Sequence, residues 1–300
     1  MPAKYAEQKP RFISIVKATY LVNTKDIIEQ RINRFVASLA ASPDKDNSEI
    51  VIDALGNQSV SKLGALLNSS NEQVRLRAAR CMLNLGNDLG LTTLQQIARN
   101  KDSSYRIEAL NAIAAAAARN DAAAAARSLL RDEDFDVRLA AYEQLRKLDD
   151  VSIVHELISR SFYLEQISQT NRKAIFASRS GSPRIALFGS PIYCRKDIFA
   201  QSADGSITIN AQAGQEYVSL IRKHPKRPNV IIQLKSSFEL GEIIRKLCEE
   251  PTKETGNETV GLGVSYSDMI ALLKQMCDNG AVEAQFRAGP LPKIGPIIKK

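Results

Sequence analysis

A 31- to 32-residue internal repeat constrains this chain more than any other feature. Three segments align: SVSKLGALLNSSNEQVRLRAARCMLNLGND (residues 59–88), GLTTLQQIARNKDSSYRIEALNAIAAAAAR (90–119) and DAAAAARSLLRDEDFDVRLAAYEQLRKLDD (121–150). Each has an apolar-periodic helix, a short polar turn (NSSNEQ, NKDSS, RDEDFD) and a second helix. A β-branched or aromatic residue followed by arginine marks the second helix, at Val74-Arg75, Tyr105-Arg106 and Val137-Arg138. Alanine follows three residues after each arginine, at Ala78, Ala109 and Ala141. Small residues let neighbouring helices approach closely, while Met82, Leu85, Ile113, Leu145 and Leu148 fill the space between layers. A helix pair of this kind buries its apolar face only against its neighbours, so the expected result is a stack.

The alanine-rich stretch AIAAAAARNDAAAAARSLL (112–130) is therefore the end of one second helix and the start of the next first helix. Arg119-Asn120-Asp121 is expected to form the turn, with Asn or Asp as N-cap. Alanine costs little side-chain entropy in a helix, which marks this seam as the closest approach of two layers.

The pattern resembles HEAT repeats of the short bacterial type that also occur in phycobilisome lyase subunits. Their Asp-x-x-Val-Arg-x-x-Ala motif opens the second helix, and residues 134–141 (DFDVRLAA) match it best. Tyr105 replaces valine in the middle copy, and Asn71 takes the aspartate position in the first. The resemblance implies a helical solenoid in which Arg75, Arg106 and Arg138 support packing between layers.

Upstream, residues 26–42 and 47–58 read as a degenerate helix pair around a Pro43 turn, capping the stack. RFISIVKATYLV (11–22) has β-branched content compatible with strand or helix, and residues 1–25 have no assigned structure. Downstream, SIVHELISRSFYLEQISQ (152–169) reads as the last helix of the repeat region, which places that region at 26–169.

From residue 170 the pattern changes to short runs of Ile, Val, Phe and Tyr between Gly, Pro, Asp and Ser turns. RKAIFASRS, PRIALFGS, KDIFAQSAD, GSITINAQ, EYVSLIRK and PNVIIQLK are expected strands, with Asp204-Gly205 suggesting a type I′ hairpin. Two helices follow, over 236–250 with Ser236 or Ser237 as N-cap, and over 265–280 ending on glycine. AVEAQFRA (281–288) is a final strand. The expected fold is thus an N-terminal HEAT-like α solenoid followed by a smaller α+β domain at 170–300.

Within that domain, YSDMIALLKQMCDNGAVEAQF (266–286) resembles the C-terminal region of bacterial flagellar P-ring proteins, and FELGEIIRKL (238–247) falls where that family has its preceding helix. The likeness covers about 50 residues and implies a relation to large bacterial proteins that join P-ring sequence to HEAT repeats. P-ring proteins carry an export signal and a long β-rich ring-forming region before this tail, and this sequence shows neither. It is therefore expected to be the C-terminal part of a longer protein.

Several functions are disfavoured by residue content. Four cysteines (Cys81, Cys194, Cys248, Cys277) lie 113, 54 and 29 residues apart, with no paired spacing for a metal. Only two histidines occur, His155 and His224, and no nucleophile-elbow, zincin or P-loop motif is present. GLGVS (261–265) lacks the rest of a dinucleotide fingerprint, and DEDFD (132–136) lacks the glycine and distal glutamate of an EF-hand. No catalytic residue, metal or cofactor is expected.

The formal charge is +8, and its basic excess lies in residues 151–300, with 20 Lys/Arg against 14 Asp/Glu. RKHPKRP (222–228) concentrates it: Arg222, Lys223, Lys226 and Arg227 are the candidate contacts for an anionic partner. No run approaches the roughly 18–20 apolar residues of a membrane span. MPAKYAEQKPRF has no apolar export core, so the chain as written reads as cytoplasmic, or as envelope-located if it derives from an exported parent.

The expected role is a non-enzymatic protein-interaction scaffold with a protein partner. Two alternatives stay open: a nucleic-acid or anionic-surface binder using the basic half, and a lyase-like cofactor-handling enzyme or chaperone. The second alternative would use Cys194, beside Arg195 and Lys196, as a thiol of depressed pKa.

Overall fold

The structure, a computed structural model, describes residues 25–41, 48–224, 227–251 and 261–291. The expectations for RFISIVKATYLV and for the Pro43 turn lie outside the described residues. The chain divides into two compact units, Met1–Asp150 and Val151–Lys300. The first is helical and the second rich in strands, a mixed α/β composition.

In the first unit, α1 (Lys25–Ala41) presents Ile28, Ile32, Val36 and Leu39 at three- and four-residue spacing. This stripe packs with Val51, Ile52 and Leu55 of α2 (Ser48–Leu55), with Leu63 of α3 (Val60–Leu66), and with Ala78, Cys81 and Met82 of α4 (Glu72–Asn84). Then come α5 (Asp88–Arg99), α6 (Arg106–Ala116), α7 (Arg119–Leu129) and α8 (Phe135–Lys147). Successive helices pack on one another, and α2, α4, α6 and α8 also touch in turn.

Side-chain caps fix several of these starts. Asn71 Oδ1 accepts from the backbone N–H of Gln73 (3.0 Å) and Val74 (3.4 Å), and Asn87 Oδ1 accepts from Leu89 (3.0 Å). Asp134 accepts from Asp136 at 2.8 Å, so the acids of DEDFD serve the turn and the cap.

The alanine-rich stretch departs from expectation. The break falls at Ala117 and Ala118, both extended, and α7 begins at Arg119 with no side-chain cap. Asn120 and Asp121 therefore lie inside the first turn of α7. Ala122, Ala123, Ala125 and Ala126 are buried, whereas Ala115 and Ala118 are exposed.

A second correction concerns residues 152–169, which form a β-hairpin instead of a helix. β1 (Val154–Ile158) and β2 (Phe162–Ile167) pair antiparallel through Ser159 and Arg160, at φ 45° and 54°. The Ser161 N–H closes the turn on the Ile158 carbonyl at 2.8 Å. Two consecutive positive φ values are the signature of a type I′ turn, which usually recruits Asn and Gly. Here Ser and Arg occupy it, so no turn residue marks the position and the apolar spacing imitates a helix.

β2 pairs parallel with β4 (Arg184–Phe188), which pairs antiparallel with β3 (Ala174–Ala177). β3 in turn pairs parallel with the late strand β9 (Gln285–Ala288). The five-stranded order is β1-β2-β4-β3-β9, so the hairpin expected in the repeat region is structurally part of the second unit. A separate antiparallel sheet runs β5-β6-β7-β8, from β5 (Phe199–Gln201), β6 (Ile207–Asn210), β7 (Val218–His224) and β8 (Arg227–Ser236).

The β5–β6 hairpin forms where Asp204-Gly205 suggested, with a different turn. Gly205 has φ 65° while Asp204 is not in the positive-φ region, and the Gly205 N–H donates to the Ser202 carbonyl at 2.9 Å. That excludes type I′, which needs both residues at positive φ.

Helices α9 (Leu240–Cys248) and α10 (Tyr266–Asp278) bury Leu240, Ile243, Ile244, Leu247, Met269, Leu272, Leu273 and Met276 in one core with Phe162, Leu164, Ile175, Ile185 and Leu187 of the strands. The cap of α9 is Glu239, accepting from Gly241 N–H (3.1 Å) and Glu242 N–H (3.2 Å), in place of the expected Ser236 or Ser237. Ser236 is instead buried at the end of β8. α10 starts on Ser265 and is followed by Gly280 at φ 74°.

Candidate functional site

In the helical unit, polar side chains bond their counterparts one repeat away. Arg80 meets Glu49, 31 positions earlier, through Nε (2.9 Å) and Nη2 (2.6 Å), and reaches Glu108 through Nη1 at 3.2 Å. Asn84 donates to Asp53 (3.0 Å), Ser103 to Glu72 (2.8 Å) and Gln144 to Asn111 (2.7 Å), across 31, 31 and 33 positions. Bonds at this interval require equivalent positions to lie beside each other in space. Three of the residues, Asn84, Glu108 and Asn111, are exposed on the second helices.

The three motif arginines do not share one role. Arg75 Nη1 donates to the carbonyls of Ser69 (2.7 Å) and Ser70 (3.2 Å), and Arg138 Nη1 to those of Asp132 (2.7 Å) and Glu133 (2.9 Å). Both therefore tie the turn that precedes their own helix. Arg106 instead donates from Nε to the Ala98 carbonyl (3.1 Å) and forms a two-point ion pair with Asp132 in the next repeat. The reason is local: Arg75 and Arg138 are fourth residues of their helices, whereas α6 begins at Arg106 itself.

Asp132 carries opposing influences. Burial pushes its carboxyl upward, but hydrogen bonds from Arg106 and from the Asp134 N–H outweigh this and hold it below the ordinary value.

The basic segment RKHPKRP is the end of the β7–β8 hairpin, with Lys226 outside the described residues. The other three cations are placed differently. Arg222 is half-buried, with Nη1 donating to the Leu262 carbonyl, while Lys223 and Arg227 are exposed. Ile231 pairs with Lys223 and Arg227 with His224, so residues 228–230 form an irregularity in β8. Val230 and Ile231 are 45% and 63% exposed. Sequence reading singled out the charges and missed these two apolar neighbours, because VIIQL looks like ordinary strand core.

GLGVS has a structural task. The N–H groups of Leu262, Gly263 and Val264 donate to the carbonyls of Lys246 (3.0 Å), Glu249 (2.7 Å) and Leu247 (2.8 Å). They thereby satisfy the C-terminal end of α9. A Cβ at Gly261 would stand 2.2 Å from the Glu249 oxygen, which explains the glycine. These amides are not available to a phosphate.

Cys194 does not have the reactive setting its basic neighbours suggested. It is buried, and burial first, then the nearby Cys277 and Glu239, push its thiol up to about 12. Arg195 is turned to Asp197, with contacts of 3.0 and 2.8 Å. Cys81 and Cys248 are also buried and raised by burial, and Cys277, partly buried, is raised to about 11. His155 is exposed on β1, edge-on to Tyr163 with ring centroids 6.3 Å apart.

A cleft of about 530 Å³ lies between the β5–β6 turn and α10, lined by Gln201, Ser202, Asp204, Asp268, Leu272 and Gln275 among others. Its acids have local partners. Asp204 accepts from the Ser202 hydroxyl (2.6 Å) and from the N–H and hydroxyl of Ser206, which hold its carboxyl near 2. Asp268 accepts from the Ser265 hydroxyl at 2.7 Å. No group of three or more metal-ligating side chains occurs among the described residues.

The sequence matches no protein-family model and no curated protein.

Proposed function

We propose that this chain is a non-enzymatic scaffold for protein–protein contact, built on a HEAT-like solenoid, with the strand-rich unit as a docking module in a P-ring-like or cell-envelope assembly. The observation that carries the reading is the set of side-chain bonds one repeat apart, from Glu49 through Arg80 to Glu108 and from Asn111 to Gln144. Such bonds join the second helices into one continuous polar strip. A strip of this kind offers a partner many weak contacts on a pre-ordered surface, which lowers the ordering cost of binding.

The lyase-like alternative needs an activated thiol, and Cys194 is buried with its thiol raised. A nucleic-acid reader would set aromatic platforms beside its cations, whereas Arg222 is engaged with Leu262 and the exposed neighbours of Lys223 and Arg227 are the aliphatic Val230 and Ile231.

Photo-crosslinking tests the proposal. A photoreactive residue at exposed Asn111 or Asn84 should capture a discrete protein in the native cell, and Glu108→Arg should abolish that capture. A control probe at exposed Arg131, outside the strip, should not capture it. Equal capture from all three positions, or none from the strip, refutes the scaffold reading.

A further inference from the structure

We propose that the end of the β7–β8 hairpin is a contact site for an anionic lipid surface, with Lys223 and Arg227 meeting headgroup phosphates and Val230 and Ile231 entering the interface. The proposal stands independently of the scaffold reading. Three observations combine. Lys223 and Arg227 are exposed, and among the described residues neither forms an ion pair. Residues 217–237 (YVSLIRKHPKRPNVIIQLKSS) contain no carboxylate, so neither strand neutralises its own cations, and Asp204 in the adjoining β5–β6 turn is engaged by Ser202 and Ser206. Val230 and Ile231, at 45% and 63% exposure, are the large apolar side chains of β8 left open to solvent.

The register explains their exposure. Arg222 pairs with Ile232, and both turn toward the core: Arg222 bonds Leu262, and Ile232 packs partly buried against the core cluster. Side chains alternate along a strand, so the next pair, Lys223 and Ile231, faces the opposite way. A cation and a branched aliphatic side chain thus share the outward face of one cross-strand pair. The irregularity at 228–230 adds Val230 beside them.

This mixture favours lipid over nucleic acid. Phosphates attract the cations in both cases, but branched aliphatic side chains do not stack on bases, and single-stranded readers use aromatic platforms. The nearby Tyr217 has Lys235 Nζ over its ring at 4.3 Å. Aliphatic groups beside cations are what an interfacial contact uses, because apolar burial and headgroup attraction then add.

The test is co-sedimentation of the full chain with phosphatidylglycerol/phosphatidylcholine vesicles and with phosphatidylcholine alone, at low and high salt. Binding is expected to the anionic vesicles and to weaken with salt. Each removed cation should lower the partition coefficient roughly fivefold, so K223E/R227E should lose at least about 25-fold. V230S/I231S should lose roughly tenfold at fixed salt. Both pairs lie on the surface, and circular dichroism checks that the variants stay folded. K274E, a charge change on exposed α10, should leave binding unchanged. The proposal is overturned if anionic vesicles are not bound, if V230S/I231S binds like the parent, if K274E weakens binding as much as the tip variants, or if duplex DNA binds as tightly as vesicles and responds only to charge.

Discussion

Replacing Gly90 by alanine tests how closely the helices of the N-terminal unit approach. Alanine is the better helix former by about 1 kcal/mol, so in an isolated helix the change stabilises. In this fold a Cβ at position 90 would lie 2.4 Å from the Ala79 carbonyl oxygen and 2.5 Å from the Leu83 nitrogen, with Met82 Cβ at 3.0 Å. Two of these obstacles are backbone atoms of α4, which cannot rotate away as a flexible side chain can. To reach ordinary contact, α5 must withdraw by roughly 1 Å, enough to forfeit a quarter to a half of each dispersion contact across the gap. Overpacking of this kind costs about 1–3 kcal/mol, and a backbone obstacle places it at the upper end. Net of the propensity gain, Gly90→Ala should destabilise by about 2 kcal/mol, or roughly 4–8 °C in Tm. Gly64, in α3, provides the control, because a Cβ there meets nothing within 4 Å. Gly64→Ala should stabilise by about 0.5–1 kcal/mol. Urea titration of the full chain, read by circular dichroism at a helical wavelength, compares the two. If Gly90→Ala is neutral or stabilising, the close seating of α5 on α4 is wrong.

Other variants probe separate parts of the account. Asp132→Ala leaves the guanidinium of Arg106, whose side chain is 7% exposed, without its carboxylate and should cost about 3 kcal/mol at neutral pH in chemical denaturation. The folded carboxyl of Asp132 lies below its ordinary 3.8, so its contribution is complete above about pH 4 and disappears as pH falls through the folded value. The gap between parent and variant should therefore close in acid, and a gap that widens there contradicts the ion pair. Tyr266→Phe removes a hydroxyl that bonds the carbonyls of Ser178 (2.8 Å) and Arg184 (2.9 Å), and should lower stability by about 1–3 kcal/mol in thermal melts. Alkylation followed by mass spectrometry should modify Cys277 first, accelerating toward pH 11, with Cys81, Cys194 and Cys248 protected until unfolding. Rapid labelling of Cys194 near neutrality would reinstate a reactive thiol.

Much of the helical unit was legible because its information is periodic. The Val-Arg positions and the polar turns recur at fixed spacing, and the motif's Asn/Asp position, occupied by Asn71 and Asp134, turns out to supply the N-cap. What stayed hidden depended on tertiary context. Nothing local distinguishes Ala117–Ala118 from the alanines around them, so the break between α6 and α7 is set by packing and not by a cap. Ser159-Arg160 adopts a turn whose usual residues are absent, and the strands flanking it carry apolar residues at spacings a helix also permits. In the basic segment, charge was visible in sequence, but which cation is engaged was not. Arg222 and Lys223 differ only in the sheet face they occupy, and the partner of Arg222 lies 40 residues away. Cys194 is a similar case: Arg195 is engaged with Asp197, and burial decides the thiol.

Two internal deletions in the full chain decide whether the helical unit behaves as a series of interchangeable layers, as the proposed solenoid requires. Removing residues 91–121 takes out one 31-residue period and keeps Gly90 against α4, whereas removing 91–106 takes out 16 residues and breaks the register. The full-period deletion should keep its helical signal per residue and unfold cooperatively, while the half-period deletion should lose both. Equal behaviour of the two deletions would contradict the solenoid.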